Sequence, residues 1–529
     1  MTSKRKKELR YLCLGGVFTL LQFLFFFLLC RYDRITYDSS YQYSLNLHSL
    51  KEIFELLPMD YSPPLYSVLM KGYSAVFGYD LITMRFLSCI LLSSLFFLAL
   101  FPLRRLAGKY ASVVASVLFL TSSYNLFFCV EIRPTVLAYI LTTWMLVYAA
   151  LIFFDTRKKD IVFFTVFASL CMYTHNVSLI IAFFVYGLAV ILSIIIKRYD
   201  LTRRFLVSGL IVSVLYIPWL IVLIGQFQSV LDRYWSEHHS LGFGFYIAFF
   251  GIAENYLFMT MSLVPFAMII FLPLINVLTA IDPSRYRSAK RLSELTTVKE
   301  LKIKWPNIKK LLFMAAFVCL PLIGFYLFTL TVLPVFALRY VYIFSGGGII
   351  CIALLASLGA TDKRSSQIPT VILCLLMVLT LICNVISEHN TFASNRQKEM
   401  MSDIYALSEG EPAIMDFSEQ CLGVLSYTFP DSPHYVIPET VGVLRTFDVF
   451  AADIRYLNKA DEIWNYTDEF FILNSMNFGD ESHYPPEYYL EFFDDDNIIF
   501  EEVGRYRLPY CNELGHNYDE YIVYRCRHE

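Results

Sequence analysis

Charged side chains are scarce in this chain of 529 residues: Asp, Glu, Lys and Arg make up 17% and hydrophobic residues 57%. A soluble domain carries about 25% charged residues, so this balance excludes one and makes the bilayer the solvent for most of the chain. Also lacking are any C-x-x-C pair and any Cys/His ligand spacing. The twelve cysteines lie mostly inside apolar runs, where they read as buried thiols, and no metal site is expected. Cys511 and Cys526 lie in the polar C-terminal tail, where an oxidising exterior would permit a bridge between them. No Gly-rich turn of the nucleotide-binding kind is found, so no cofactor is expected either. Internal repeats and low-complexity stretches are absent.

What the chain does have is long apolar runs. The first covers 11–30, behind Lys4-Arg5-Lys6-Lys7 and with no small-residue cleavage site after it; it is long enough to stay as a spanning helix. Further runs lie near 82–103, 111–129, 135–154, 160–174, 177–196, 204–224, 256–280, 311–333, 340–359 and 368–386. About eleven transmembrane helices are therefore expected. Arg and Lys gather in every second turn, from Arg104-Arg105 through Lys197-Arg198 to Lys363-Arg364, which places those turns and the N-terminus in the cytoplasm. The odd count puts the tail outside. This gives a multi-pass cell-membrane protein with a transmembrane domain over 1–387, a first outer loop over 31–81 and an extracytoplasmic domain over 388–529. The tail holds 28 of the 46 acidic residues against 9 basic ones, a balance that argues against nucleic acid or anionic lipid as its partner. Its apolar segments, such as Phe470-Phe471-Ile472-Leu473 and Ile498-Ile499-Phe500, predict a small α/β domain.

The first outer loop opens with Tyr37-Asp38-Ser39-Ser40. Leu47, Leu50, Ile53, Phe54 and Leu57 follow at helical spacing, then Pro63-Pro64 and a second apolar set at Leu65, Leu69, Tyr73, Val76 and Phe77. Two amphipathic helices lying in the membrane interface are expected, forming a ledge beside Asp38. An enzyme acting on a lipid-linked substrate at this face needs a carboxylate, cations for phosphate and aromatic surfaces. Asp38, Glu131, Arg133, His175, Tyr234, Trp235, Arg339 and Tyr340 all fall on the predicted outer side. Each has a plainer reading: a helix cap for Asp38, an ion pair for Glu131 with Arg133, an interfacial ring for His175. Tyr234 and Trp235 fit an aromatic belt, and Arg339 with Tyr340 a snorkelling anchor.

Their order along the chain, however, resembles a family. Tyr37-Asp38-Ser39, then Asp60-Tyr61-Ser62-Pro63-Pro64-Leu65-Tyr66, then Met84-Arg85-Phe86-Leu87-Ser88 is similar to the first-loop signature of the protein O-mannosyltransferases. It is equally similar to that of their bacterial relatives, the aminoarabinose-lipid A transferases and the broad glycosyltransferase family 39. Glu131-Ile132-Arg133-Pro134, Tyr173-Thr174-His175, Ile217-Pro218-Trp219 and Arg339-Tyr340 follow in the family's order. The chain departs from it at Ser39, Ser62 and Thr135, where Glu, His and Tyr are common; these positions leave sugar, acceptor and metal contact open. The resemblance implies a GT-C type membrane glycosyltransferase that takes a sugar from a polyprenyl-phosphate donor and passes it to a hydroxyl of a protein, lipid or envelope glycan, with inversion. Asp38 would be the general base. Asp60, Glu131, His175, Tyr234, Trp235 and Tyr340 would contact substrates, and Arg133 and Arg339 the departing phosphate. Two other classes remain open. A transporter or flippase would show paired breaks in mid-membrane, of which Gly346-Gly347-Gly348 is one without a partner. A non-catalytic assembly protein would work through its tail.

Overall fold

The computed structural model describes residues 3–30, 35–59, 62–155, 157–231, 239–250, 307–332, 335–358 and scattered helical positions between 371 and 386. In the tail it describes 396–417, 419–437, 447–450, 452–474, 486–493, 497–508 and 519–528. Before the tail the elements among the described residues are helices, beginning with α1 (Ser3–Cys30). Three short helices make the first loop: α2 (Tyr37–Leu47), α3 (Leu50–Leu56) and α4 (Leu65–Phe77). α5 (Leu81–Leu98) runs through a π turn at Ala99–Leu103 into α6 (Arg104–Ala107). The wider turn accommodates Pro102, which cannot donate to the ladder, so the apolar rod continues unbroken from Leu81 to Ala107. There follow α7 (Lys109–Thr121), α8 (Ser123–Phe128), α9 (Pro134–Phe154), α10 (Asp160–Met172), α11 (Asn176–Ile195), α12 (Tyr199–Leu231) and α13 (Leu241–Phe250). α14 (Ile308–Thr331) and α15 (Leu338–Ala356) complete the described bundle.

Six of these helices are long and apolar enough to cross a membrane, and three shorter apolar ones accompany them at Gly15–Leu28, Lys109–Thr121 and Asp160–Met172. These correspond to nine of the eleven expected runs. The run at 256–280 lies outside the described residues, as does most of that at 368–386. The run at 111–129 is not one rod: Ser122 is extended (φ −63°, ψ 121°) and divides α7 from α8, as short hydroxyl side chains at Thr121, Ser122 and Ser123 allow.

α9 is the hub, buried from Thr135 to Phe153. α15 packs closely through three glycines against α9, α13 and α14. A Cβ at Gly346 would meet Thr143 Oγ1 at 1.8 Å, one at Gly347 would meet Val318 and Leu146, and one at Gly348 would meet the Ala248 carbonyl at 1.9 Å. The glycines that suggested a transporter's break are thus a packing face inside an unbroken helix. α12, by contrast, exposes Leu206, Leu210, Val214 and Ile221 where lipid would lie.

The tail forms a mixed domain. α16 (Gln397–Leu407) precedes β1 (Ile414–Asp416), α17 (Glu419–Thr428), β2 (Pro433–Val436), β3 (Asp453–Tyr456) and β4 (Glu469–Asn474). α18 (Pro486–Leu490), β5 (Ile498–Leu508) and β6 (Asp519–His528) follow. The sheet order is β3-β2-β1-β4-β6-β5, with the first four strands parallel and β6 antiparallel to both neighbours. Its two faces have separate cores. Met415, Tyr435, Phe470, Ile472, Tyr524 and Cys526 pack together on one side. Met400, Ile404, Leu422 and Leu425 belong on the other to the continuous core of the helical bundle. Cys526 is a free, fully buried thiol, which burial pushes above its ordinary pKa; the bridge to Cys511 that the compartment would permit is not made by it, and Cys511 lies outside the described residues.

The first loop differs from expectation in one way that matters. Helices occupy both expected segments, with Leu69, Val76 and Phe77 exposed along α4 and Leu50 and Phe54 along α3. Ser49 begins α3 with a capping box to Glu52. An additional helix, α2, starts at Tyr37, so Asp38 sits in a helical first turn rather than in open loop. α2 is polar and buried, with Ser39, Ser40, Gln42, Ser44 and Asn46 all enclosed; it is held by protein and not by the interface.

Candidate active site

The site grows from the way α2 begins. Thr36, its N-cap, makes no capping bond to the helix; its Oγ1 donates instead to Glu131 Oε2 at 2.6 Å. Ser39 Oγ donates to the same oxygen at 2.5 Å and accepts from the Ile132 N–H at 3.1 Å. Glu131, 1% exposed, so ties the first turn of α2 to the segment before α9. Pro134 occupies the first position of α9 and holds Arg133 extended (φ −141°, ψ 141°), because the proline ring disfavours helical geometry in the residue before it. Arg133 turns its guanidinium back to α2: Nη2 lies 2.6 Å from Asp38 Oδ2, and Nε lies 3.6 Å from Glu131 Oε2. Arg339, in the first turn of α15, brings Nη1 to 3.3 Å from that same Asp38 oxygen and stacks on Tyr340 at 5.2 Å.

Two guanidiniums on different helices therefore converge on one carboxylate. Burial acts to raise the Asp38 pKa, and Arg133 and Arg339 outweigh it, holding the group below its ordinary value and ionised. The Asp38 side chain is 33% exposed while that of Arg133 is 6% exposed. Arg133 Nη1 is buried with no hydrogen-bond partner among the described residues. His175 caps α11, its Nδ1 accepting from the Val177 N–H at 3.2 Å, and its ring lies 5.1 Å from that of Tyr340. Burial first, then Arg339, push its pKa down to about 3, so the ring is neutral near neutral pH, with Nδ1 the acceptor and its one proton on Nε2.

Of the residues picked out in the sequence, Asp38, Glu131, Arg133, His175, Arg339 and Tyr340 come together; Asp60, Tyr234 and Trp235 lie outside the described residues. Glu131 was expected to touch substrate, but its carboxylate faces the loop's own hydroxyls. Other contributors went unrecognised. Ser88 Oγ donates to the Glu131 carbonyl at 2.8 Å, and Arg85, one turn earlier on the same face of α5, is 1% exposed. Their spacing within Met84-Arg85-Phe86-Leu87-Ser88 was the available signal. The Leu65 N–H donates to the Tyr173 carbonyl at 2.9 Å, tying the Pro-Pro start of α4 to the His175 turn. Among the described residues no three of His, Cys, Asp and Glu gather as metal ligands would. The arrangement offers a carboxylate able to take a proton beside cations able to hold an anion.

Fold and site together define a multi-pass membrane protein with a cluster of charged side chains at one end of its helices and a mixed α/β domain beside it. No family model matches the chain, and no curated protein matches it. Among solved structures it is similar to crystal structures of ArnT from Cupriavidus metallidurans. In the apo state the TM-score is 0.46 at 10% identity, covering 99% of this chain and 98% of that one. With undecaprenyl phosphate bound to ArnT the TM-score is 0.45 at 10% identity, covering 98% of each chain.

Proposed function

We propose that this protein is a membrane glycosyltransferase that moves a sugar from a polyprenyl-phosphate donor to an acceptor hydroxyl at the outer face. The observation that carries the reading is the convergence of Arg133 and Arg339 on the partly exposed Asp38, with a buried donor of Arg133 left over. Glu131, the second carboxylate beside Arg133, is taken up by the Thr36 and Ser39 hydroxyls, so the two guanidiniums at the reachable Asp38, with Arg133 Nη1 spare, are the groups that an arriving anion would meet.

In this reading the donor phosphate takes up the guanidinium donors. Asp38 loses part of the field that keeps it a weak base, and its proton affinity rises as the donor arrives. The acceptor oxygen then attacks the anomeric carbon while its proton passes to the Asp38 carboxylate. The bond from that carbon to the phosphate oxygen breaks, and the lipid phosphate leaves with the electron pair, its new charge met by Arg133 and Arg339. A single displacement inverts the anomeric centre. Glu131 positions Arg133, and neutral His175 with Tyr340 offers a flat face for the sugar. The transporter alternative loses its one sequence feature to the packing of α15.

The test is transfer of labelled sugar by purified protein from a panel of polyprenyl-phosphate sugars. Asp38→Asn keeps the shape of the group but cannot accept a proton near neutral pH. It should retain donor binding and lose about 10²- to 10⁴-fold in transfer. Near-normal transfer by this variant overturns the base assignment. The outer location is tested by reporter fusions, extracytoplasmic after Ser387 and cytoplasmic at Ser293; both on one side would defeat it.

A further inference from the structure

α2, which carries Asp38, is gripped on two sides. Asn46 Nδ2 donates to Ser74 Oγ at 2.8 Å and Lys71 Nζ donates to the Asn46 carbonyl at 2.9 Å, fixing one face on α4. Tyr37, Tyr41 and His48 lie about half a helical turn round from Asn46, and all three meet the C-terminal domain. The Phe450 ring lies 6.2 Å from Tyr37 and 6.1 Å from Tyr41, and His48 Nε2 donates to the Val449 carbonyl at 2.8 Å. Tyr427 of α17 meets Tyr43 edge-on at 5.0 Å. The tightest approach is at Gly423 of α17, where a Cβ would come within 2.5 Å of Tyr37 Cδ2 and 3.0 Å of Phe450 Cζ.

This grip falls where α2 lacks a cap of its own, since the Thr36 hydroxyl is turned to Glu131. The direction of the first turn, and with it of Asp38, is left to Glu131 and to the seat of the Tyr37 ring. We infer that the C-terminal domain is a positioning element of the site: the notch at Gly423, closed by Phe450, seats Tyr37 and so aims the neighbouring Asp38 at Arg133 and Arg339. This rests on the proposed role of Asp38 in transfer. Tyr37, Gly423 and Phe450 are positioning residues, out of contact with the reacting atoms.

The experiment uses the full chain and two readouts, donor binding with transfer kinetics and amide hydrogen exchange over 36–47. Gly423→Ala should speed exchange in α2, leave donor affinity within about twofold, and lower kcat by about 10- to 100-fold, the scale of a misplaced catalytic group. Phe450→Leu removes the closing ring without overpacking and should give the same pattern more weakly. Gly423→Ala with Tyr37→Leu should recover part of the lost kcat. Ile472→Val, in the core on the far face of the sheet, should leave kcat unchanged even where it lowers Tm as much as Gly423→Ala does. Wild-type kcat in both Gly423→Ala and Phe450→Leu, a loss matched by Ile472→Val, or unchanged exchange in α2 would each overturn the inference. If the wild-type chain transfers no sugar, the proposed function fails instead, and the exchange readout still decides the positioning.

Discussion

The two ends of α9 carry the same kinds of side chain in opposite arrangements. At its N-terminal end Arg133 and Arg339 point at one oxygen of Asp38. At its C-terminal end the pattern is inverted: Asp155 Oδ2 lies 2.6 Å from Arg105 Nε and Asp160 Oδ1 lies 2.6 Å from Arg105 Nη2, with Asp160 fully buried. Arg157 adds a second contact to Asp155 at 3.3 Å. Nearby, Asn307 Nδ2 bonds the Ala107 carbonyl and Ser357 Oγ, both at 2.9 Å, joining α6, α14 and α15. With Glu131 beside Arg133 and Arg157 beside Asp155, each cluster holds two arginines and two carboxylates. The C-terminal cluster is arranged around the shared cation Arg105, with Asp160 fully buried, and the N-terminal one around the shared and partly exposed carboxylate of Asp38. Composition alone does not separate the two, whereas the sign and the exposure of the group at the centre do.

The strongest way to break this comparison is to remove one arginine at each end. Arg133→Ala should lower transfer by about 10²- to 10³-fold, since a fixed donor to a developing anion is lost, and Lys at this position should restore only part, lacking the two-pronged geometry. Arg105→Ala should spare the chemistry and instead destabilise the fold by about 3–5 kcal/mol, because Asp160 would be left buried without its cation. Thermal unfolding and transfer assays on both variants separate the outcomes; an Arg105→Ala protein that is stable but inactive, or an Arg133→Ala protein that is fully active, ends the distinction. A smaller effect should follow Ser39→Ala, which takes one hydroxyl from buried Glu131 and one acceptor from the Ile132 N–H. A loss of about 1–3 kcal/mol is expected, readable as a lowered denaturation midpoint, and an unchanged midpoint would show that Glu131 does not depend on it.

The smallest and sharpest test is pH. The Asp38 pKa is depressed by its two cations, so the contribution of that ion pair to stability is present above the ordinary value of 3.8 and is lost as pH falls through the lower folded value. The acid limb of kcat/KM, which reports the free enzyme, should lie in that low range for the wild type. In Arg339→Ala it should move up in pH. A limb that does not move on losing Arg339 would detach the titration from this site.

Much of this was legible in one dimension. Six of the eleven expected apolar runs appear as helices long enough to cross a membrane, because a span must be about 20 residues of apolar side chain whatever surrounds it, and three more appear as shorter apolar helices. The alternation of Arg and Lys between turns marked the two ends of the bundle, and the tail's short apolar segments foretold its strands. Asp38, Arg133, Arg339 and His175 could be picked out because a polar side chain at the end of an apolar run is locally conspicuous. The sequence did not contain which groups face which. Asp38 and Arg339 are 301 positions apart, and whether Glu131 meets a substrate or the Thr36 and Ser39 hydroxyls depends on how α2 sits against α9. Nor could the helical start at Tyr37 be read from periodicity, because α2 is polar on most sides and takes its shape from α4 and the C-terminal domain. Local chemistry and chain length set the elements and their ends; only packing between distant segments decided which charge stands at the centre of each cluster, because that is a relation between helices and is written in neither of them.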